Sequence, residues 1–161
     1  MRKTFVIMVG VPGSGKSTQA EKLKHDWIEE GSTAEIISRD SIRFDLLGKG
    51  EPYFKHEKKV VERYHKKITD AIENKWVDAV IADSTNINKK SRKVLLDLVR
   101  KADPDIYLIA VVIVDNPEEC KKRNAKRTDR ARVPDDVIDK MARQFEVPTD
   151  SEGFDEIWLV Q

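Results

Sequence analysis

Cysteine is almost absent. Cys120 stands alone in 161 residues, so no internal disulfide framework exists and reducing conditions suit the chain, with the cytoplasm as the expected compartment. A lone thiol in a lysine-rich helical stretch is expected to be ordinary rather than nucleophilic. No apolar run approaches the roughly 20 residues that a membrane-crossing helix needs. The N-terminus leads straight into a strand-like run, so no signal peptide is expected either. Repeats and low-complexity linkers are missing, and His25, His56 and His65 lack metal-ligand spacing and read as surface residues. The length suits one domain with a sizeable core, and residues 1–161 are read as a single unit. Net charge is also small, at +1. Its distribution is uneven: Glu118 to Arg132 carries seven Lys/Arg against three acids, and Asp135 to Gln161 carries two against eight.

What is present begins with Gly10-Val11-Pro12-Gly13-Ser14-Gly15-Lys16-Ser17-Thr18, which fits G-x-x-x-x-G-K-[ST]. The apolar run Thr4–Val9 precedes it, and Ala20, Leu23 and Trp27 follow at helical spacing. Strand, glycine loop and helix form the context in which this motif binds phosphates. Glycines let backbone N–H groups approach phosphate oxygens, and the helix N-terminus adds positive potential. Gly13, Ser14, Gly15 and Thr18 are therefore expected to cradle a nucleoside triphosphate. Lys16 is expected to reach its β- and γ-phosphates, and the Ser17 hydroxyl to ligate Mg²⁺.

Apolar runs alternate with helical patterns, so the expected fold is α/β, a five-stranded parallel sheet with helices on both faces. Strands are placed at Thr4–Val9, Ala34–Ser38, Ala79–Asp83, Ile106–Val114 and Glu156–Val160. Their Val- and Ile-rich composition with little polar alternation points to strands covered on both faces. Helices are placed at Lys16–Glu30, Lys55–Lys75, Lys89–Ala102, Glu118–Arg127 and Asp135–Phe145.

In such a sheet ligands bind beyond the carboxyl ends of the strands, which directs attention to four stretches. In Ser38-Arg39-Asp40-Ser41-Ile42-Arg43, Asp40 is either a general base for an acceptor hydroxyl or the cap of a helix starting at Ser41. Arg43 binds an acceptor phosphate or pairs with Asp40. In Asp83-Ser84-Thr85-Asn86, the acid that ends the strand suits a magnesium-positioning carboxylate, with a turn-forming Asp as the alternative. Arg123, Arg127 and Arg130 fall at i, i+4 and i+7 on one helical face, suited to clamping phosphates. With little apolar surface that helix is expected to be a mobile lid, a solvated basic helix or a nucleic-acid patch being the alternatives. Finally, Phe44 to Phe54 is rich in glycine and aromatics, which either stack on an acceptor base or pack beneath a loop.

Taken together, G-x-P-G-S-G-K-S-T, Ser38-Arg39-Asp40 with Arg43, Asp83-Ser84-Thr85-Asn86, Arg123-Asn124 with Arg127, and Val133-Pro134 resemble the kinase domain of phage-type polynucleotide 5′-kinases. The resemblance runs from Phe5 to Glu152-Gly153-Phe154. It implies a P-loop kinase fold with an arginine-rich lid, and transfer of the γ-phosphate of ATP, with Mg²⁺, to 5′-hydroxyl ends of DNA or RNA. It further implies that Asp40 is the general base and that Arg43 contacts the acceptor phosphate. Asp83 and Asn86 would serve the acceptor and metal side, and Val133 and Pro134 the acceptor nucleoside. Arg127 would be the lid arginine on the donor phosphates, and Arg123 would support the adenine–ribose side. The cytoplasm would be that of a host cell for a phage-encoded chain. At 161 residues the 3′-phosphatase domain of the best-known relatives is not expected in this chain. Kinases of a small-molecule or tRNA-linked hydroxyl use a similar scaffold, and a regulatory NTPase would share the phosphate loop.

Overall fold

Alternation within one short run sorts the whole core. In Thr4–Val9 (β1) successive side chains cross to opposite faces of the pleat. Phe5, Ile7 and Val9 enter one apolar cluster, while Val6 and Met8 enter another. A computed structural model of the chain describes residues 2–127 and 132–161. Around β1 it arranges Ala34–Ser38 (β2), Ala79–Asp83 (β3), Tyr107–Ile113 (β4) and Glu156–Val160 (β5) in the order β2-β3-β1-β4-β5. Every pairing is parallel.

The helices cover the two faces as their stripes require. Lys16–Glu29 (α1) lays Ala20, Leu23 and Trp27 on the face of Val6 and Met8. Glu57–Glu73 (α3) and Lys89–Ala102 (α4) bury Val60, Tyr64, Ile68, Leu95, Leu96 and Val99 on the other. Expected and observed boundaries agree within a few residues, as fraying ends allow. The dense burial expected of all strands holds for β1, β3 and β4 but not at the edges. In β5 Trp158 and Leu159 are exposed, because an edge strand has a neighbour on one side only.

Two local expectations change. A short helix, Arg39–Leu46 (α2), starts before Ser41, and its cap is Ser38, whose hydroxyl accepts from the Ser41 N–H at 3.1 Å. Asp40 thus lies inside the helix, freed from capping. The basic helix is Pro117–Ala125 (α5), and it is not without a core contact. Cys120 and Asn124, one turn apart, are buried, and Cys120 packs with Val11, Ile87 and Ile138 of the last helix, Asp135–Gln144 (α6). The expectation that this helix has little core to hold it is therefore corrected for α5.

A buried ion pair braces the site from behind. Arg92 on α4 has no exposed surface. It donates to both Glu152 carboxylate oxygens at 2.7 and 3.3 Å and to the Asn86 carbonyl at 2.9 Å. Asn86 has a positive φ of 45°, rare for a non-glycine residue. Its amide donates to the Met8 carbonyl, at the end of β1, at 3.0 Å. Burial works to raise the Glu152 carboxyl, but the hydrogen bond and charge of Arg92 prevail and hold it low. Its contribution to stability is therefore present above the ordinary carboxylate range and is lost as pH falls through the depressed value. Glu152→Ala, which leaves Arg92 buried and uncompensated, is expected to cost about 3–5 kcal/mol. The check is the urea midpoint at constant m-value, and an unmoved midpoint would dismiss the brace.

Candidate functional site

The loop after β1 takes a shape that only its glycines permit at two points. Gly13 and Gly15 have φ of 82° and 97°. A Cβ at Gly13 would also collide with the Cys120 carbonyl of α5. Gly15 starts α1 with no side-chain cap and no acid in the first turn, so the first amides are left for an anionic ligand. The Ser14 hydroxyl is buried without a hydrogen-bond partner among the described residues. Lys16 is only 9% exposed, and its Nζ donates to the Val11 carbonyl at 3.1 Å. Burial depresses its pKa, against the attraction of Asp83 and Asp40. A buried cation, an orphan hydroxyl and an uncapped helix start together fit a polyphosphate.

β3 delivers its terminal acid to the same place. The Ser17 hydroxyl donates to Asp83 Oδ2 at 2.7 Å. Burial pushes the Asp83 carboxyl above its ordinary value, although Ser17 and Lys16 pull it down. Two oxygen donors, one of them a desolvated carboxylate, suit Mg²⁺, which favours carboxylate and hydroxyl oxygens near phosphates.

α2 supplies the third wall. Asp40 keeps a side chain 48% exposed. Its Oδ1 accepts from Arg43 and, at 2.7 Å, from the Tyr53 hydroxyl, while its Oδ2 accepts from no described residue. Arg43 is turned inward, its side chain 5% exposed. Its Nε and one terminal nitrogen donate to the two oxygens of Glu57 at 2.5 and 3.0 Å, and the other donates to the Tyr53 hydroxyl at 3.0 Å. Its Cζ lies 4.5 Å from the Tyr53 ring centroid. Desolvation opposes the Arg43 charge, but Glu57 more than restores it. Burial raises the Tyr53 phenol, which therefore stays a donor.

These walls enclose one open cleft of about 800 Å³, lined among others by Lys16, Ser17, Asp40, Phe54, Asp83 and Arg127. Val133 and Met141 reach it from the far side. Around the loop lies a second, apolar hollow of about 460 Å³ between Val11, Val114, Pro117, Ala142 and Phe145. Its apolar lining suits the flat base of a nucleotide.

Several expected residues stand elsewhere. Asn86 is buried, its amide spent on the Met8 and Ser84 carbonyls, and it does not line the cleft. Pro134 is exposed and also outside the lining. Arg123 and Arg127 do not share a helical face, because α5 ends at Ala125. Arg123 instead donates to the Gly13 carbonyl at 3.0 Å and pairs with Asp115, while Arg127 enters the cleft. Arg130 lies outside the described residues. Asn124, noted only as part of a motif, is fully buried. It exchanges hydrogen bonds with the backbone of Val133 on both sides, anchoring that residue beside the cleft. Glu57 was not singled out in the sequence. It opens a charge-rich helix, and nothing local marks it as the partner of two arginines.

Comparison with known proteins adds to this geometry. A family model described as AAA domain matches residues 5–148. A protein of Autographa californica nuclear polyhedrosis virus named as a bifunctional polynucleotide kinase/RNA ligase is 26% identical over 156 residues, covering 89% of this chain. The chain spans only 21% of that protein's length. Adenylate kinase of Nautilia profundicola is 29% identical over 155 residues, with 93% of this chain and 79% of that one covered. Among solved structures, Chaetomium thermophilum Kti12 in complex with ADP-AlF3 superimposes with a TM-score of 0.71 at 18% identity, over 97% of this chain and 88% of that one. A fungal RNA kinase gives 0.66 at 13%, over 100% and 75%.

Because Asp83 orients Ser17, Asp83→Asn is expected to raise the magnesium concentration for half-maximal nucleotide turnover by roughly 10- to 100-fold. Nucleotide binding in chelator should change far less. A magnesium titration followed by product formation, with binding measured in parallel, reads both.

Proposed function

This chain belongs to the AAA-domain family and has the fold of a P-loop kinase, and from that premise we propose that it transfers the γ-phosphate of ATP to 5′-hydroxyl ends of DNA or RNA. One observation carries the proposal: a carboxylate oxygen, Asp40 Oδ2, accepts from none of the described residues and lies in the same cleft as the phosphate loop. Transfer to an alcohol needs an acceptor for the hydroxyl proton, and an open carboxylate beside the phosphate loop supplies one.

In the proposed reaction the loop amides and Lys16 hold the triphosphate, its base in the hollow beside Val114 and Phe145. Asp40 Oδ2 takes the proton of the terminal hydroxyl as that oxygen attacks the γ-phosphorus in line with the departing ADP. Asp40 is poised for this because Arg43 and Tyr53 fix its other oxygen. Ser17 and Asp83 would hold Mg²⁺, which when bound offsets charge on the phosphate oxygens. Arg127, from the opposite wall, would add positive charge at the transferring group. Val133 and Met141 offer an apolar wall for the acceptor nucleoside, with Pro134 and Asn86 at most indirect.

A second reading has its own support. The adenylate kinase relative resembles the chain at comparable identity and over more of its own length, so a small nucleotide or another small alcohol is the competing acceptor. Incubation with labelled ATP and a panel of 5′-hydroxyl oligonucleotides, nucleoside monophosphates and sugars separates the two. Label on the oligonucleotide is expected, and label confined to monophosphates or sugars would replace this proposal with the second. Asp40→Asn should lower transfer by roughly 10²- to 10⁴-fold, the ordinary worth of a general base, and leave ATP binding intact. Normal turnover by that variant would remove Asp40 from the mechanism.

A further inference from the structure

Arg39 and Arg43 both border the acceptor side of the cleft, and the fold employs them in different ways. Arg43 has little left to offer a ligand. Nε and both terminal nitrogens are engaged by Glu57, Asp40 and Tyr53, and its face is covered by the Tyr53 ring. A phosphate could capture it only by breaking a buried ion pair and leaving Glu57 uncompensated. Arg39 is the reverse case. Among the described residues it makes one side-chain hydrogen bond, from a terminal nitrogen to Glu57 Oε2 at 3.0 Å. Its Nε is buried with no hydrogen-bond partner among them. Its side chain is about one-third exposed, in a half-open pair with Glu57, the kind of contact that costs little to exchange. It also stands at the first residue of α2, where the helix dipole favours an anion.

We propose that Arg39 is the specificity-determining residue that binds a phosphate of the acceptor, and that Arg43 and Tyr53 are positioning residues that hold Asp40. This rests on the reading of the acceptor as a nucleic acid strand. In a strand ending in a 5′-hydroxyl, the first phosphate is the one on the 3′ oxygen of the terminal nucleoside. With that hydroxyl at Asp40 Oδ2, the neighbouring Arg39 is the cation next along the strand. Glu57 divides the labour: it draws Arg43 inward with two hydrogen bonds and holds Arg39 with one. Arg39 then selects phosphate-bearing acceptors over nucleosides, and Arg43 acts on the rate of transfer through the base.

The test compares kcat/KM for a nucleoside 3′-phosphate and for the matching nucleoside, in the unmodified protein, Arg39→Ala, Tyr53→Phe and Arg43→Lys. The unmodified protein is expected to prefer the phosphorylated acceptor by roughly 10- to 100-fold, the worth of a hydrogen-bonded charge. Arg39→Ala should collapse that preference toward unity, mainly through acceptor KM. Tyr53→Phe and Arg43→Lys should lower kcat on both acceptors and keep the preference. A preference that survives in Arg39→Ala, or that disappears in Arg43→Lys, overturns the assignment. Phosphorylation of neither acceptor, nor of any oligonucleotide, refutes the nucleic-acid reading itself and the assignment with it. That result is distinct from an active protein whose preference ignores Arg39.

Discussion

A buried ammonium with no carboxylate in contact among the described residues is the constraint around which this molecule is arranged. Lys16 is almost withdrawn from solvent, yet its hydrogen bond goes to a neutral carbonyl of its own loop. Desolvation weakens its hold on the proton, and Asp83 and Asp40 act on it only from a distance. A cation held in this way is completed by a polyanion, and the surrounding features point the same way. The first amides of α1 carry no side-chain cap, and the two left-handed glycines turn the loop over that helix start.

Such a loop does not stand by itself, and the fold props it from three directions. From the sheet, Asp83 receives the Ser17 hydroxyl and Asn86 ties the end of β1. From α5, Cys120 packs against Val11, and its carbonyl occupies the space that any side chain at Gly13 would need. Arg123 adds a hydrogen bond to the Gly13 carbonyl. From the far end of the chain, Glu152 pairs with Arg92, which steadies the Asn86 carbonyl. The lone cysteine therefore has a packing role in keeping with its lack of exposure, and its thiol is pushed toward the neutral form by burial. Electrostatics divide the cleft as well. At the loop Lys16 has no carboxylate in contact among the described residues, whereas at the α2 end of the cleft Arg43 is balanced by Glu57 and Asp40.

Much of this could be read from the chain because parallel sheets translate order into place. Five apolar runs of strand length, separated by helical stripes, must form a covered sheet, and the carboxyl ends of its strands must share one edge. Gly10–Thr18, Arg39–Asp40 and Asp83 each follow or end such a run, so their proximity follows from topology. Loop shape was legible for a similar reason, since only glycine accepts the dihedrals at residues 13 and 15.

What only the tertiary structure decided depends on partners far apart in sequence. The capping role that the sequence offered to Asp40 was taken by Ser38, two residues earlier. The inward turn of Arg43 needed Glu57, from the start of another helix, and Tyr53, from the loop between them. The shared face of Arg123 and Arg127 vanished because α5 stops at Ala125, and the two side chains part toward the loop and the cleft. Asn86 looked available to a ligand, but the Met8 carbonyl claimed its amide. Propensity and periodicity are local and survive in the one-dimensional order. The choice of which charge meets which is made by the packing of distant elements, and the chain records no spacing for it.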